Sequence, residues 1–229
     1  MTRAAFFDLD RTFIRRSSAL ALAGAFRERG IISRRQLVKA GVWQLLFAAR
    51  GADPQTVTNG IADGIALIRG VPAADVEQMA TDAVDTVLRP LVYPDALVLA
   101  QEHRRRGEPV YLVTASLEEI VAPFAVALGL DGVIASIGEI DADGRYTGAV
   151  VRACHGEGKA VAIGELEGVD LAGSTAYSDG VADLPLLEAV GHPVAVNADR
   201  ALRRIAAARG WPLLDFRRRP FRASVRTVG

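Results

Sequence analysis

Two aspartates, Asp8 and Asp10, follow an apolar segment near the start of the chain, and Thr12 comes just after them. Other polar residues follow later apolar segments, namely Thr114, Asp179 and Asp183. Carboxylates that converge on one point repel each other unless a cation lies between them, and Mg²⁺ suits a few hard oxygen ligands. One such carboxylate can attack phosphorus and form an aspartyl-phosphate. The residue types therefore indicate phosphoryl chemistry at a magnesium site.

Lysine is the next group that such chemistry would use, and only two of the 27 basic residues are lysines, Lys39 and Lys159. Lys159 lies at the start of a predicted helix, in the segment GEGKA. A lysine gives phosphoryl oxygens a point positive charge, and a threonine such as Thr114 gives them a hydroxyl donor. Taken singly, each residue has an ordinary alternative: Asp10 could be a turn residue and Asp183 a helix N-cap. Only their combination indicates one site.

Apolar segments typical of buried strands recur along the chain, at residues 4–7, Pro109–Thr114, Gly132–Ser136, Ser174–Ser178 and His192–Asn197. Predicted helices separate them, at Pro94–Arg106, Leu117–Leu128, Gly158–Leu166, Leu184–Val190 and Asp199–Arg209. Strands that are apolar on both faces and alternate with helices predict an α/β fold with a doubly wound parallel sheet. In such sheets the ligand site lies outside the carboxyl ends of the strands, where the polar residues occur.

The connection between the first two predicted strands is roughly a hundred residues long, far more than one crossover helix needs. Four segments within it have helical apolar spacing: Ser17–Gly30, Ser33–Arg50, Pro54–Arg69 and Pro72–Leu88. We predict a helical cap domain at residues 15–91, inserted into a core domain of residues 1–14 plus 92–215, with a basic tail at 216–229. The Asp143-Gly144 pair also predicts a turn of a β-hairpin within Ile137–Val150.

Composition restricts the partners and the compartment. The 229 residues are 50% hydrophobic, enough for a sizeable core, and the formal net charge of zero gives no overall field that attracts nucleic acid. No apolar run is long enough to span a membrane and no signal peptide is evident, so we expect a cytoplasmic protein. Cys154 is the single cysteine, which excludes an internal disulfide. The expected partner is a small-molecule phosphomonoester, and the oligomeric state stays open.

In their order along the chain, Asp8-Leu9-Asp10-Arg11-Thr12, Thr114, Lys159 and Asp179 with Asp183 resemble the four motifs of the haloacid dehalogenase (HAD) superfamily. The predicted helical insertion resembles the C1 cap of that superfamily. The combination is similar to its phosphoserine-phosphatase-like branch, subclass IB. The resemblance implies a HAD-like α/β core, and a Mg²⁺-dependent phosphomonoesterase that acts through an aspartyl-phosphate.

The resemblance also implies a role for each motif residue. Asp8 is the nucleophile, and Asp10 is the general acid and then the general base, with its main-chain carbonyl on the metal. Lys159 holds the transferring phosphoryl group and shields Asp8. The implied metal-binding residues are Asp8, Asp10, Asp179 and Asp183. The candidate phosphate- and substrate-binding residues are Arg11, Thr12, Ser17, Thr114, Ala115 and Lys159.

Three positions depart from the pattern of phosphoserine phosphatases. Ser17 stands where those enzymes have an acid that meets the substrate ammonium, and Arg11 stands where many relatives have a small residue. Ala182 stands where an asparagine is common. We therefore predict that the substrate is a small phosphorylated metabolite other than phosphoserine.

Two other functions stay open. A phosphotransferase or mutase would pass the same aspartyl-phosphate to a second alcohol. A receiver-like signalling domain also combines acids, Thr and Lys, but its acids are adjacent and its phosphorylated Asp follows the third strand, where this chain has GVIAS. The apolar stretch Leu37–Ala49 predicts a buried helix, either in the cap core, at a dimer contact or lining a pocket for an apolar leaving group.

Overall fold

A computed structural model of this chain describes residues 1–32 and 54–216. The strands in these residues are β1 (Ala5–Asp8), β2 (Val110–Leu117), β3 (Gly132–Ile140), β4 (Tyr146–Arg152), β5 (Thr175–Ser178), β6 (His192–Val196) and β7 (Leu213–Leu214). In the described part of the chain these seven strands form one sheet in the order β4-β3-β2-β1-β5-β6-β7. All neighbouring strands are parallel except β4, which runs antiparallel to β3.

The described helices are α1 (Ser18–Glu28), α2 (Pro54–Leu67), α3 (Ala73–Ala83), α4 (Pro94–Arg105), α5 (Glu118–Ala127), α6 (Glu157–Gly164), α7 (Leu184–Glu188) and α8 (Arg200–Arg209). Within the described residues, buried side chains form two core clusters. Phe7 and Tyr177 belong to one, with their rings stacked 4.2 Å apart, while Phe6 and Ala176 belong to the other. Since adjacent residues of a strand point to opposite faces, the sheet is covered on both faces, and the predicted doubly wound α/β fold is confirmed.

Strand β1 lies at the centre of the sheet, and all four of its residues are buried. It pairs with β2 on one side and with β5 on the other. The chain therefore reverses its direction of travel across the sheet between β1 and β5. In open α/β sheets this switch point creates a crevice at the carboxyl ends of the two strands. Asp8 ends β1, and Asp179 follows β5 directly.

Helices α1, α2 and α3 belong to the insertion between β1 and β2. Main-chain hydrogen bonds join this insertion to the β3–β4 hairpin at the sheet edge. Gly70 N–H donates to Tyr146 C=O (2.8 Å), Tyr146 N–H donates to Val71 C=O (3.0 Å), and Ala73 N–H donates to Gly144 C=O (2.9 Å). The loop between α2 and α3 is thereby hydrogen-bonded to the edge strand β4 and to the turn before it.

Several elements differ from the sequence-based prediction. The hairpin is confirmed, but its first strand is the continuation of β3, so β4 extends the main sheet. The predicted helix Pro72–Leu88 is divided, because α3 ends at Ala83 and a π-helical turn (Val84–Leu88) and a 3₁₀ turn (Arg89–Leu91) follow. Pro90 lies in that 3₁₀ turn and has no N–H to continue an α-helix. Strand β7 was not predicted.

Some predictions lie outside the described residues. These are the helix Ser33–Arg50, the apolar stretch Leu37–Ala49 and the basic tail beyond Phe216. Phe216 itself is buried and packs against Tyr93, with ring centroids 5.7 Å apart. Among residues 1–32 and 54–216, no helix combines the length and apolar character needed to cross a bilayer.

Candidate active site

The loop after β1 is held by its own apolar side chains. Leu9, Phe13 and Ile14 are buried, and the main-chain N–H groups of Phe13 and Ile14 both donate to Leu9 C=O. With Leu9 turned into the core, Asp8 and Asp10 are left on the crevice side of the loop. Arg11, which follows, has φ 66°, a left-handed conformation that costs a residue with a β-carbon about 1 kcal/mol.

Lys159 lies between two of the predicted carboxylates. Its Nζ donates to Asp8 Oδ1 (2.6 Å) and to Asp183 Oδ2 (2.7 Å), and the Lys159 residue is only 2% exposed. Ser178 Oγ donates to the same Asp183 oxygen (2.7 Å). The attraction of Asp183 and Asp8 outweighs burial and raises the pKa of Lys159, so the ammonium stays charged. The structure thus brings Asp8, Lys159 and Asp183 together, although 151 residues separate Asp8 from Lys159.

The three carboxyl groups of Asp8, Asp179 and Asp183 outnumber the two basic side chains, Lys159 and Arg11, that contact them. Burial raises the pKa of Asp8 to about 8, despite Lys159, and the charges of Asp183 and Asp179 add to the rise. Burial also raises the pKa of Asp179 to about 6, although Arg11 opposes it, with Asp183 adding to the rise. A further cation beside Asp8 and Asp179 would favour the charged form of both carboxyl groups.

Asp10 contacts the beginning of the inserted helices. Ser18 N–H, in the first turn of α1, donates to Asp10 Oδ1 (2.8 Å). Burial raises the pKa of the Asp10 carboxyl, and the hydrogen bond from Ser18 N–H opposes the rise, with a smaller effect from the Ser17 side chain. A carboxyl group whose pKa is raised can hold a proton nearer to neutral pH, as a general acid must.

The hydroxyl groups predicted for phosphate binding lie around the same crevice. Thr114 is buried in the middle of β2, directly after Val113, which pairs with Asp8, and its Oγ1 accepts a hydrogen bond from Ser116 N–H (3.1 Å). Ala115, between them, is half-buried. Thr12 is fully buried, and within the described part of the chain its Oγ1 has no hydrogen-bond partner. A buried hydroxyl without a partner destabilises the folded protein unless a ligand or a water molecule forms a hydrogen bond with it.

Arg11 contacts a predicted metal ligand. Its Nε lies 3.2 Å from Asp179 Oδ2, with the Arg11 side chain 71% exposed. The exposed guanidinium can therefore leave this carboxylate at little cost, because ion pairs open to solvent are weak.

Some residues of the site were not predicted. They are Ser178, which bonds to Asp183, and Ser18, which bonds to Asp10 and has its Oγ 2.8 Å from Ser116 Oγ. Asn197, at the end of the fifth predicted strand, donates from Nδ2 to Arg11 C=O (2.9 Å). The rule that ligand sites lie at carboxyl ends of strands could have identified Asn197, because it is polar and directly follows β6.

Whether these residues suit a magnesium ion depends on how many protein side chains the ion needs as ligands. In the described ranges, no three His, Cys, Asp or Glu side chains are arranged as a metal site. Lys159 and Arg11 already contact the carboxylates of Asp8, Asp183 and Asp179. Mg²⁺ usually takes only one or two protein carboxylates, with water and substrate phosphate as its other ligands. Asp8 and Asp179, both with raised pKa values, fit that smaller set, and no larger set is required.

Comparisons of sequence match this chain to one protein family and to named relatives. The model of the haloacid dehalogenase-like hydrolase family matches residues 5–188. A probable phosphatase from Mycobacterium tuberculosis is 43% identical over 218 residues, which cover 94% of this chain and 76% of that protein. A phosphoserine phosphatase from the same organism is 35% identical over 222 residues, covering 95% of this chain and 72% of that protein.

Solved structures match the fold of this chain. A protein of unknown function from Bordetella pertussis superimposes with a TM-score of 0.80 at 31% identity, covering 94% of this chain and 100% of that chain. A phosphoserine phosphatase in a phospho-aspartyl intermediate analogue form has a TM-score of 0.62 at 19% identity, covering 94% and 93%, which is a similarity of fold alone. The match over residues 5–188 excludes the receiver-domain alternative. The chain belongs to the haloacid dehalogenase-like hydrolase family.

Proposed function

We propose that this protein is a Mg²⁺-dependent phosphatase that hydrolyses a small phosphorylated metabolite through an aspartyl-phosphate on Asp8. The observation that carries the proposal is the buried pair of Lys159 and Asp8, 2.6 Å apart, with the carboxyl of Asp10 two residues further on. A nucleophile, a fixed positive charge and a carboxyl with raised pKa are the three groups that phosphoryl transfer to an enzyme side chain requires.

In the first step, the free oxygen of the Asp8 carboxylate attacks phosphorus, and the bond from phosphorus to the leaving alcohol breaks. The leaving oxygen takes the proton of the Asp10 carboxyl. In the second step, a water molecule attacks the phosphorus of the aspartyl-phosphate and gives a proton to Asp10, now a carboxylate. The bond between phosphorus and Asp8 breaks, and inorganic phosphate leaves. Asp10 is therefore acid and then base, as its raised pKa supports.

The remaining residues bind the phosphoryl oxygens and the cation. Lys159 Nζ and the hydroxyls of Thr114 and Thr12 offer donors, and Thr12 Oγ1 lacks a partner among the described residues. The carboxylates of Asp8 and Asp179 and the main-chain carbonyl of Asp10 would hold Mg²⁺, with Asp183 acting through Lys159. The ion would supply the positive charge that keeps Asp8 ionised and neutralises the phosphate.

The insertion supports a further part of the proposal, a cap of residues 15–91 over a core of residues 1–14 and 92–215. Helix α1 begins at the crevice, where Ser18 contacts both Asp10 and Ser116. A cap that touches the general acid directly can exclude water from the phosphoryl group during the first step.

The test is a phosphate-release screen over sugar, polyol, nucleotide and lipid-derived phosphomonoesters, with Mg²⁺ and with EDTA. We expect release with Mg²⁺, none with EDTA, and none from the Asp8→Asn variant. Repeating the screen with an added acceptor alcohol separates hydrolysis from phosphotransfer, because transfer yields a new phosphoester in place of phosphate. Release that is unaffected by EDTA and by Asp8→Asn would contradict the proposal.

Asp10→Asn should reduce kcat by roughly 10²–10⁴-fold, the usual contribution of a general acid or base. The amide cannot donate the proton that the leaving alkoxide needs, although it can still accept the hydrogen bond from Ser18 N–H. The measurement is the rate of phosphoenzyme formation with an alkyl phosphate and with p-nitrophenyl phosphate, whose leaving group needs little protonation. Equal slowing of both substrates would show that Asp10 is not the acid.

L-phosphoserine should be a poor substrate, even though one relative is named a phosphoserine phosphatase. Its ammonium would lose water without gaining an acidic partner at Ser17, which costs several kcal/mol. The Ser17 side chain instead interacts with Asp10, where it slightly opposes the rise of the Asp10 pKa that burial causes, and the neighbouring Arg15 and Arg16 are exposed cations. The measurement is kcat/KM for L-phosphoserine beside the other phosphomonoesters, and a highest value for phosphoserine would contradict this expectation.

A further inference from the structure

The turn between β6 and α8, residues 197–199, contacts both loops that carry the candidate metal ligands. On one side, Asn197 Nδ2 donates to the main-chain carbonyl of Arg11 (2.9 Å). On the other, Asp199 N–H donates to the main-chain carbonyl of Asp179 (2.8 Å), and Val181 N–H donates to Asp199 Oδ2 (3.0 Å). One short turn is thus bonded to the loop after β1 and to the loop after β5.

Backbone strain is concentrated at the same contact. In residues 1–32 and 54–216, the non-glycine residues with positive φ are Arg11 (66°) and Asn197 (50°), and they are hydrogen-bonded to each other. Such conformations persist where the surroundings hold them, and they cluster at functional sites. Asn197 is only 6% exposed, so its hydrogen bonds do not compete with bulk water.

The orientation of the Asn197 amide is fixed by both of its partners. Its Oδ1 accepts a hydrogen bond from Phe216 N–H (2.9 Å), which leaves Nδ2 as the group that faces the Arg11 carbonyl. The peptide after Arg11 is therefore held from outside the loop. Since φ of Arg11 sets the direction of the preceding peptide, this contact also orients the carbonyl of Asp10.

We propose that the turn of residues 197–199 positions the two carboxylate loops relative to each other, and that Asn197 is a positioning residue for the cation site. The proposal rests on the proposed function, because it concerns the Mg²⁺ that Asp8, Asp179 and the Asp10 carbonyl would hold. Asn197 touches neither substrate nor ion. It acts through the main chain of Arg11, as residues behind metal ligands commonly do.

The test is Mg²⁺ titration of the metal-free Asn197→Asp variant by calorimetry, beside steady-state kinetics. Asp keeps the size and the acceptor for Phe216 N–H, but it places an oxygen against the Arg11 carbonyl. We expect the Mg²⁺ dissociation constant to rise about tenfold or more, the usual effect of losing an outer contact to a metal site. The kcat at saturating Mg²⁺ should fall while KM for the phosphomonoester changes little.

Phe216→Ala is the matched control, because it removes the ring that packs on Tyr93 but keeps the N–H that Asn197 accepts. It should lower the melting temperature and leave Mg²⁺ affinity unchanged, which separates positioning from general stability. If Asn197→Asp fails to fold, Asn197→Gly, which adopts positive φ without strain, removes the same contact and should weaken Mg²⁺ binding in the same direction.

Two results would overturn the inference, and they differ in whether the proposed function survives. If the wild type binds Mg²⁺ and releases phosphate, but the Asn197 variants bind Mg²⁺ within twofold of it, the positioning role is wrong and the proposed function stands. If the wild type neither binds Mg²⁺ nor releases phosphate, the proposed function fails and the inference fails with it.

Discussion

Asp8→Asn is expected to abolish phosphate release while the protein stays folded. The amide has the size of the carboxylate but carries no charge and cannot form the bond to phosphorus. Loss of the nucleophile from a hydrolase that uses a covalent intermediate should cost at least about 10⁴-fold in kcat. The fold should survive, because burial, with the charges of Asp183 and Asp179 adding to it, already raises the pKa of Asp8 to about 8, so an uncharged amide suits this position.

The measurement is single-turnover phosphate release from the best substrate of the screen, with circular dichroism as the control for folding. Acid-quenched protein from the wild type should carry phosphate, and the Asp8→Asn variant should carry none. Activity of Asp8→Asn within about tenfold of the wild type, a barrier change of only ~1.4 kcal/mol, would remove Asp8 from the nucleophile role.

Lys159→Met is expected to cost both activity and stability. Methionine replaces the stem of the side chain but leaves Asp8 and Asp183 buried without the ammonium that bonds to both. Removing one partner from a buried ion pair typically destabilises a protein by about 3–5 kcal/mol. For a chain of this size, that corresponds to a decrease in melting temperature of roughly 10 °C.

The control for Lys159→Met is a double-mutant cycle with Asp183→Asn, measured by thermal denaturation in EDTA. If the loss arises from the unpaired carboxylates, adding Asp183→Asn to Lys159→Met should recover part of the lost stability. Strictly additive destabilisation by the two changes would mean that Lys159 and Asp183 do not interact in the folded protein.

The strands and the acidic motif residues could be predicted because both follow from local patterns. A buried parallel strand such as β1 is a continuous apolar run, and polar residues at its carboxyl end must face the crevice. The match of the family model to residues 5–188 confirms the predicted family. The assigned roles of Asp8, Asp10 and Lys159 stay predictions that the variants above test.

Other features depend on contacts between distant segments, which a local pattern does not contain. The π-helical turn after α3 and the two-residue strand β7 are of this kind. The role of Asn197 is another: its place after a strand follows from a local pattern, but its hydrogen bonds to Arg11, 186 positions away, and to Phe216 do not. The direction of the Arg11 side chain, toward Asp179, also depends on a left-handed backbone that arginine rarely adopts.

The hydrogen bonds between the hairpin and the loop after α2 have a mechanical consequence. Gly70 and Ala73 belong to the insertion by chain position, yet their amide protons are held by Tyr146 and Gly144 of the sheet edge. In a hydrogen-exchange experiment, these amides should open together with β4, as one cooperative unit of unfolding. If the insertion moves over the crevice, we therefore expect residues 70–73 to stay with the sheet edge while the parts of the insertion far from them move most.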